Sequence, residues 1–237
     1  MIKKQGKYYI DTENWGTSLG IDSSNLKGCI EEYHNSTSFS GRTKFNGLFG
    51  HESFGFKEIN LDFLTHFKTL NHIWFWNVNL EDIQGVYSFR EFESFGILGK
   101  RPPINFSKFS QIKVLTIDWT NKDTNLSGLK SLEEFYLWHH KPKEKNFEDF
   151  KFPSYCSNKV QLNWTNVETL ESLNGLIGTK SLEIHRSRNL RSLRGIEKLS
   201  DSLEELIIRA CGKLIEIQPG LDLPNLKRIH INGKNYK

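Results

Sequence analysis

The sequence predicts an α/β solenoid, with a ribbon of parallel β-strands on the concave side and 3₁₀, short helical or irregular turns on the convex side. Two observations predict this fold class. An apolar–any–apolar triplet, preceded three residues earlier by another apolar side chain, recurs about nine times. From Phe56 to Ile231 its last apolar position recurs at intervals of 19, 22, 20, 20, 25, 22, 24 and 23 residues. A period near 22 is typical of stacked repeats, which are usually binding surfaces.

The triplets are the predicted strands, because their two-residue period points both apolar side chains to one side. In chain order they are Phe54–Phe56 (the weakest), Ile73–Phe75, Phe95–Ile97, Leu115–Ile117, Phe135–Leu137, Val160–Leu162, Leu182–Ile184, Leu206–Ile208 and Ile229–Ile231. One repeat cannot bury such a stripe alone, so we expect neighbouring repeats to stack into one core.

The connections between strands show apolar residues in steps of three, a spacing that suits 3₁₀ or irregular turns. The clearest runs are Leu61, Leu64, Phe67 and Leu70; Leu80, Ile83, Val86, Phe89 and Phe92; Val167, Leu170, Leu173 and Leu176; and Leu190, Leu193, Ile196 and Leu199.

The segment from Leu203 to Leu214, with Cys211 at the N/C position, is the best single match to the pattern L-x-x-L-x-L-x-x-N/C-x-L. Over roughly residues 51–234 the chain therefore resembles the leucine-rich repeat family, with short, irregular repeats like those of bacterial members. In the other repeats the N/C position holds Ile59, Val78, Lys100, Thr120, His140, Thr165, Ser187 and Lys234. The resemblance implies an asparagine ladder there, so we expect Thr, Ser or water to bond the turn backbone instead.

Two regions lie outside the repeat. Residues 1–50 lack the triplet, and we interpret them as an N-terminal cap over the first strand, followed by a solenoid at 51–237 with its own C-terminal end. Two insertions, at residues 99–105 and 139–153, follow strands and are expected to project from one edge of the ribbon.

Charge and cysteine content indicate the cellular compartment of the protein but do not identify its partner. The 237 residues include 32 basic and 28 acidic side chains, a net charge of +4, which is a mild bias. No apolar run reaches the ~18 residues that span a bilayer, and the first seven residues lack the apolar segment of a secretory signal. Three cysteines, Cys29, Cys156 and Cys211, form no close pair. These features predict a cytoplasmic protein without disulfides.

The predicted binding site is the concave ribbon, where five of the six tryptophans fall. Aromatic side chains dominate binding hot spots between proteins. The candidate partner-binding residues are Trp74, Trp76, Trp119, Tyr136, Trp138, His139, Trp164, His185, Arg186, Arg209, Arg228 and His230. Two alternatives stay open: the rings could pack on one another as a structural shield, or they could stack on the bases or sugar rings of a nucleic-acid or carbohydrate ligand.

No catalytic or metal-binding pattern is expected to be functional. His139 and His140 are adjacent, so on a strand they point in opposite directions and cannot share a metal. The G-x-S-x-G match at Gly16–Gly20 lacks the strand-to-helix flanks of a nucleophile elbow, and we interpret it as chance. We therefore expect a non-enzymatic protein without a cofactor.

The function predicted from these features is binding of another protein. The resemblance implies that such a solenoid can block an enzyme by covering it, and it suggests an immunity protein that neutralises a toxin domain. We expect a monomer when unbound, with no membrane partner. Nucleic acid is the disfavoured partner, because such binders concentrate basic residues in one stripe.

Overall fold

A computed structural model describes residues 1–12, 16–36, 44–89, 91–109, 111–214 and 223–236, so Trp15 and Lys237 lie outside it. The chain divides into two compact units. The first unit comprises Met1–Pro103 and Lys108–Ile112, and the second comprises Ile104–Ser107 and Lys113–Lys237.

The described residues form thirteen strands, most of them parallel, and one α-helix, α1 (Leu26–Asn35). The strands are β1 (Ile2–Gln5), β2 (Tyr8–Asp11), β3 (Ser18–Gly20), β4 (Gly47–Gly50), β5 (His72–Asn79), β6 (Ser94–Lys100), β7 (Val114–Asp118), β8 (Glu134–Trp138), β9 (Lys159–Asn163), β10 (Ser181–His185), β11 (Glu205–Arg209), β12 (Arg228–Ile231) and β13 (Lys234–Asn235). Seven short 3₁₀ helices span Ser23–Asn25, Glu52–Phe54, Asp62–His66, Gln84–Ser88, Phe106–Lys108, Leu126–Gly128 and Ile196–Leu199.

In the first unit, strands that are consecutive in sequence are neighbours in space. β1, β2 and β3 pair antiparallel, whereas β3, β4, β5 and β6 pair parallel. The parallel ladder thus extends into the predicted cap, since Leu19 and Leu48 lie in register with Ile73. The helix α1 buries Cys29 and Tyr33, which are four residues apart and share one face.

The second unit continues the same arrangement within itself. β7 to β12 pair parallel, and β13 returns antiparallel along β12 through a turn at Asn232 and Gly233, both with positive φ. An Asn-Gly turn with left-handed backbone is the usual two-residue hairpin connection. The C-terminal end of the predicted solenoid therefore includes a short strand.

Eight predicted triplets, from Ile73–Phe75 to Ile229–Ile231, lie in strands β5 to β12, as the sequence analysis predicted. Register brings equivalent residues together; Leu115 is opposite Phe135, and Leu182 is opposite Leu206. The ninth prediction is wrong, because Phe54 lies in the 3₁₀ helix Glu52–Phe54 and the strand before β5 is β4. Steps of three form 3₁₀ helices at Asp62–His66, Gln84–Ser88 and Ile196–Leu199.

Two side-chain arrangements replace the asparagine ladder in the second unit. Thr165 and Ser187 are both buried, and their hydroxyl oxygens lie 2.8 Å apart, a hydrogen bond between neighbouring repeats. Asn232 accepts from the N–H of Cys211 at 3.1 Å and donates to its carbonyl at 3.0 Å. Thr and Ser therefore replace the asparagine ladder, as expected, at one pair of repeats. At Cys211 the backbone is bonded by an asparagine that follows the next strand.

Candidate functional site

The predicted site residues are divided between the two units. Trp74 and Trp76 lie on β5 of the first unit, and the other ten predicted residues lie on or directly after β7 to β12 of the second. The six large aromatic side chains of the predicted set are half-buried, neither sealed inside nor fully exposed.

Trp76 is the centre of an aromatic cluster in the first unit. The register between β5 and β6 shifts between Phe75 and Val78, so Trp76 lies in a β-bulge, a device that re-aims side chains. Its ring stacks on His51 with centroids 4.9 Å apart and on Phe49 at 6.0 Å, and Trp74 meets its edge at 6.0 Å. The two tryptophans are therefore held in fixed positions by neighbouring rings.

The principal feature of the second unit is a stack of planar groups at the ends of three neighbouring strands, which we call the edge stack: His139, Trp164 and Arg186, with Trp138 beside them. The centroid of Trp164 lies 5.2 Å from that of Trp138 and 5.6 Å from that of His139, with interplanar angles of 31° and 34°. On the next strand, the guanidinium carbon of Arg186 lies 4.7 Å from the Trp164 ring centroid, within cation–π range.

Backbone geometry explains why these side chains align. His139, Trp164 and Arg186 each follow a strand and have φ of 53°, 51° and 57°. Each donates its N–H to a carbonyl of the following strand: His139 to Asn163 at 2.9 Å, Trp164 to His185 at 2.9 Å, and Arg186 to Arg209 at 2.8 Å. A left-handed residue costs roughly 1–2 kcal/mol, and a buried hydrogen bond offsets a similar amount. The repeated turn therefore places one side chain per repeat along the edge.

Asp118 extends the edge stack by one more strand. Its Oδ1 lies 2.7 Å from His139 Nδ1, and the His139 side chain keeps 47% of its surface exposed. This places a carboxylate at one end of the edge stack and a guanidinium at the other.

Trp119 takes a different position from the one predicted for it. Its ring lies 4.5 Å from Phe150 and 6.1 Å from His140, so it packs against the 139–153 segment rather than joining the edge stack. That segment does not simply project from the edge, as the sequence analysis expected, because Phe147, Phe150 and Phe152 are buried.

His139 and His140 follow β8 instead of lying on it, and the His139 side chain is 47% exposed, whereas His140 is 3% exposed. It stacks on Phe147 with an interplanar angle of 8°, and neither ring nitrogen has a hydrogen-bond partner among the described residues. Burial lowers the pKa of His140 to about 4, and the backbone of Asn146 raises this pKa by a smaller amount. The ring is therefore neutral at pH 7.

The middle of the second unit carries an ionic and polar network across β8, β9 and β10. The Tyr136 hydroxyl donates to Glu134 Oε2 at 2.5 Å, and burial, followed by this carboxylate, raises the pKa of Tyr136. Lys159 Nζ lies 3.3 Å from Glu183 Oε1, and His185 Nε2 lies 3.2 Å from Glu183 Oε2, outside hydrogen-bond geometry. The pKa of Glu183 lies below its usual value, mainly because of His185 and, to a smaller extent, Lys159. Desolvation of the carboxylate acts in the opposite direction and raises this pKa.

The last predicted residues differ in their pairing. Arg228 Nη1 lies 2.7 Å from Glu205 Oε1, and His230 Nδ1 lies 2.8 Å from Asn235 Oδ1, so both are engaged within the chain. Arg209 is exposed and has no ion-pair partner among the described residues.

Sequence reasoning missed Phe49 and His51, which contact Trp76: Phe49 lies in residues 1–50, which were interpreted as a cap, and His51 precedes the first predicted triplet. The repeat period contained a usable signal. One interval of 25 residues back from Ile73 falls on Leu48, which lies in register with it.

The serine of the G-x-S-x-G match makes a contact that sequence spacing did not indicate. Ser18 Oγ lies 2.7 Å from His72 Nε2, and both side chains are buried. Burial lowers the pKa of His72 to about 4. Ser18 lies within β3 instead of a strand-to-helix turn, so the pair lacks the geometry of a nucleophile elbow.

No helix among the described ranges is long and apolar enough to cross a membrane. Comparison with known proteins finds no matching family model, curated protein or solved structure.

Proposed function

We propose that this chain is a leucine-rich repeat solenoid that binds another protein without chemistry of its own, covering the partner with the aromatic surfaces of its strands. The solenoid is supported by eight in-register triplets and by parallel strands that follow chain order within each unit. The more specific role that we propose is an immunity protein that neutralises a cognate toxin domain in the cytoplasm.

The observation that carries the proposal is the edge stack. Trp138 and Trp164 are half-buried, and they are oriented by His139 and Arg186 before any partner arrives. Preorganised aromatic side chains lose little conformational entropy on binding, which favours a protein hot spot. Asp118 and Arg186 at its two ends supply charges that would select the orientation of the partner.

The alternative ligands are less well supported by the same contacts. A sugar ring or base needs an open aromatic face, whereas Trp164 lies between Trp138 and His139 on one neighbouring strand and Arg186 on the other. The net charge of +4 also argues against inhibition by nucleic-acid mimicry, for which an acidic surface is needed.

The test is a comparison of two baits in extracts of the native cell, the unaltered chain and the double variant Trp76→Ala with Trp138→Ala. We expect a protein that the unaltered bait retains and the double variant loses, with a loss in binding free energy of at least about 2 kcal/mol once the partner is purified. Tyr155→Ala removes an exposed ring outside the predicted face and should leave affinity unchanged. Equal retention by the unaltered chain and the folded double variant would refute the aromatic site.

A further inference from the structure

A second candidate site lies at the carboxyl ends of β11 and β12, in a pocket of about 720 Å³ that is open to solvent. Three successive connections contribute to its wall, with Arg188 after β10, Arg209 and Lys213 at the end of β11 and beyond it, and His230 on β12. The volume falls in the range of small-molecule sites, roughly 300–1,000 Å³.

Several cations of this unit pair with carboxylates of a neighbouring repeat. Examples are Lys145 with Glu168 at 3.0 Å, Lys159 with Glu183 at 3.3 Å, Arg194 with Glu171 at 2.5 Å, Lys227 with Glu204 at 2.8 Å and Arg228 with Glu205 at 2.7 Å.

Among the described residues, the cations around the pocket have no close carboxylate. No carboxylate of the described residues lies within 4.0 Å of the charged nitrogens of Arg188, Arg209 or Lys213. Lys213 donates instead to Asn189 Oδ1 at 3.1 Å, and its charge reaches Glu168 only over a longer distance. Three cations around one cavity, without a close carboxylate among the described residues, create a positive potential that an anion would neutralise.

We propose that this pocket binds a phosphorylated small molecule with at least two phosphate groups. The planar guanidinium groups of Arg188 and Arg209 can each donate two parallel hydrogen bonds to phosphate oxygens, and Lys213 adds a point charge. None of the edge-stack residues lines the pocket, although Arg209 and His230 belong to the predicted partner-binding set, and the proposal does not depend on the function proposed for the edge stack.

The surroundings favour a compact anion over a nucleic acid. Arg228 and Lys227, the next cations along the strand, pair with Glu205 and Glu204, so the group of cations without a close carboxylate does not continue along β12. A nucleic acid requires a continuous basic stripe that follows its backbone.

Two glycines provide a matched pair of variants. A Cβ on Gly212, which lines the pocket, would meet no atom within 4 Å, and the same is true of Gly128, which lies outside it. Gly212→Glu adds a carboxylate to the pocket, and Gly128→Glu adds the same charge elsewhere in the unit. Neither substitution creates a steric conflict at Cβ.

The experiment is isothermal titration of pyrophosphate into the full chain at about 25 and 150 mM salt. We expect one site that weakens with salt, and at least about tenfold weaker binding in Gly212→Glu and Arg209→Gln. Gly128→Glu and Arg194→Gln should stay within about twofold of the unaltered chain. Thermal melting of each variant verifies that it is folded. If Arg209→Gln does not fold, Gly212→Glu still tests the pocket.

Three results would overturn the proposal. One is the absence of pyrophosphate binding at low salt. Another is an equal loss of pyrophosphate affinity in Gly212→Glu and Gly128→Glu, which would mean that anion binding depends only on the net charge of the chain. The third is tighter binding of a hexaglutamate peptide than of pyrophosphate, which would identify the pocket as a contact for an acidic protein segment.

Discussion

The guanidinium carbon of Arg186 lies 4.7 Å from the centroid of the Trp164 ring, which is itself 5.6 Å from the ring centroid of His139. The two residues occupy equivalent left-handed positions after β10 and β9. Their contact is therefore a product of stacking between neighbouring repeats, and it defines the part of the edge stack that a partner would meet.

Removal of this cation tests the contact directly. Arg186→Ala should cost about 0.5–1 kcal/mol in the free energy of unfolding and change tryptophan fluorescence, because the guanidinium leaves the indole face. Denaturant titration followed by fluorescence measures both quantities. Arg194→Ala, which removes an exposed arginine paired with Glu171, is the control; a spectrum altered equally in both variants would contradict the assignment.

Gly47 is predicted to tolerate no side chain. It lies between Ser18 and His72 in register, and a Cβ there would come within 1.9 Å of the His72 ring. Gly47→Ala should therefore break the Ser18–His72 hydrogen bond or displace β5, and we expect a loss of roughly 2–4 kcal/mol in thermal or denaturant unfolding.

Gly128→Ala provides the comparison for that variant, since its Cβ would meet no atom within 4 Å. If Gly47→Ala were as stable as Gly128→Ala, the histidine could not occupy the space over Gly47.

Stability should decline on mild acidification because of two buried histidines. The pKa values of His72 and His140 are about 4 in the folded chain, below the usual value of about 6.5. A lowered folded pKa means that the unfolded chain binds the proton more tightly. Their contribution is thus complete above about pH 6.5 and is lost as pH falls toward 4, with an upper limit near 3 kcal/mol each.

His140→Phe isolates one of these groups. The ring already stacks on Phe147 and has no hydrogen-bond partner among the described residues, so phenylalanine should preserve packing. Urea unfolding at several pH values should show equal or greater stability at pH 7 and a shallower decline toward pH 4. An unchanged pH slope would contradict the lowered pKa.

Leu206 is expected to be a core residue whose truncation opens a cavity. It is fully buried and lies in register with Leu182 and Ile229. Leu206→Ala should cost roughly 2–5 kcal/mol in denaturant unfolding, whereas Ile177→Ala, at a side chain that is 70% exposed, should stay within about 0.5 kcal/mol. Similar losses at both positions would argue against the stacked core.

The predictive power of the sequence was greatest for the strands. The triplet pattern located β5 to β12, because alternation and burial act over only three residues and repeat at each turn of the chain. It failed at Phe54, where two apolar residues at strand spacing form part of a 3₁₀ helix, and it did not detect β3 and β4 in the predicted cap.

The site was predicted less completely than the strands. Which residues lie along strand ends follows from the period, so the positions of Trp138, Trp164 and Arg186 were predictable. Whether those rings are open or covered was not, because coverage depends on rotamers and on residues one repeat away.

Periodicity by itself determined where the parallel strands lie and which side chains enter the core, since both follow from local alternation. Only the tertiary structure decided that Trp164 contacts both His139 and Arg186 and that His72 reaches over Gly47 to Ser18. It also decided that three cations around one pocket have no carboxylate partner in the part of the chain that the structure describes. These relationships join side chains from separate repeats, often more than 20 residues apart, and side-chain contacts at that separation leave no regular pattern in the sequence.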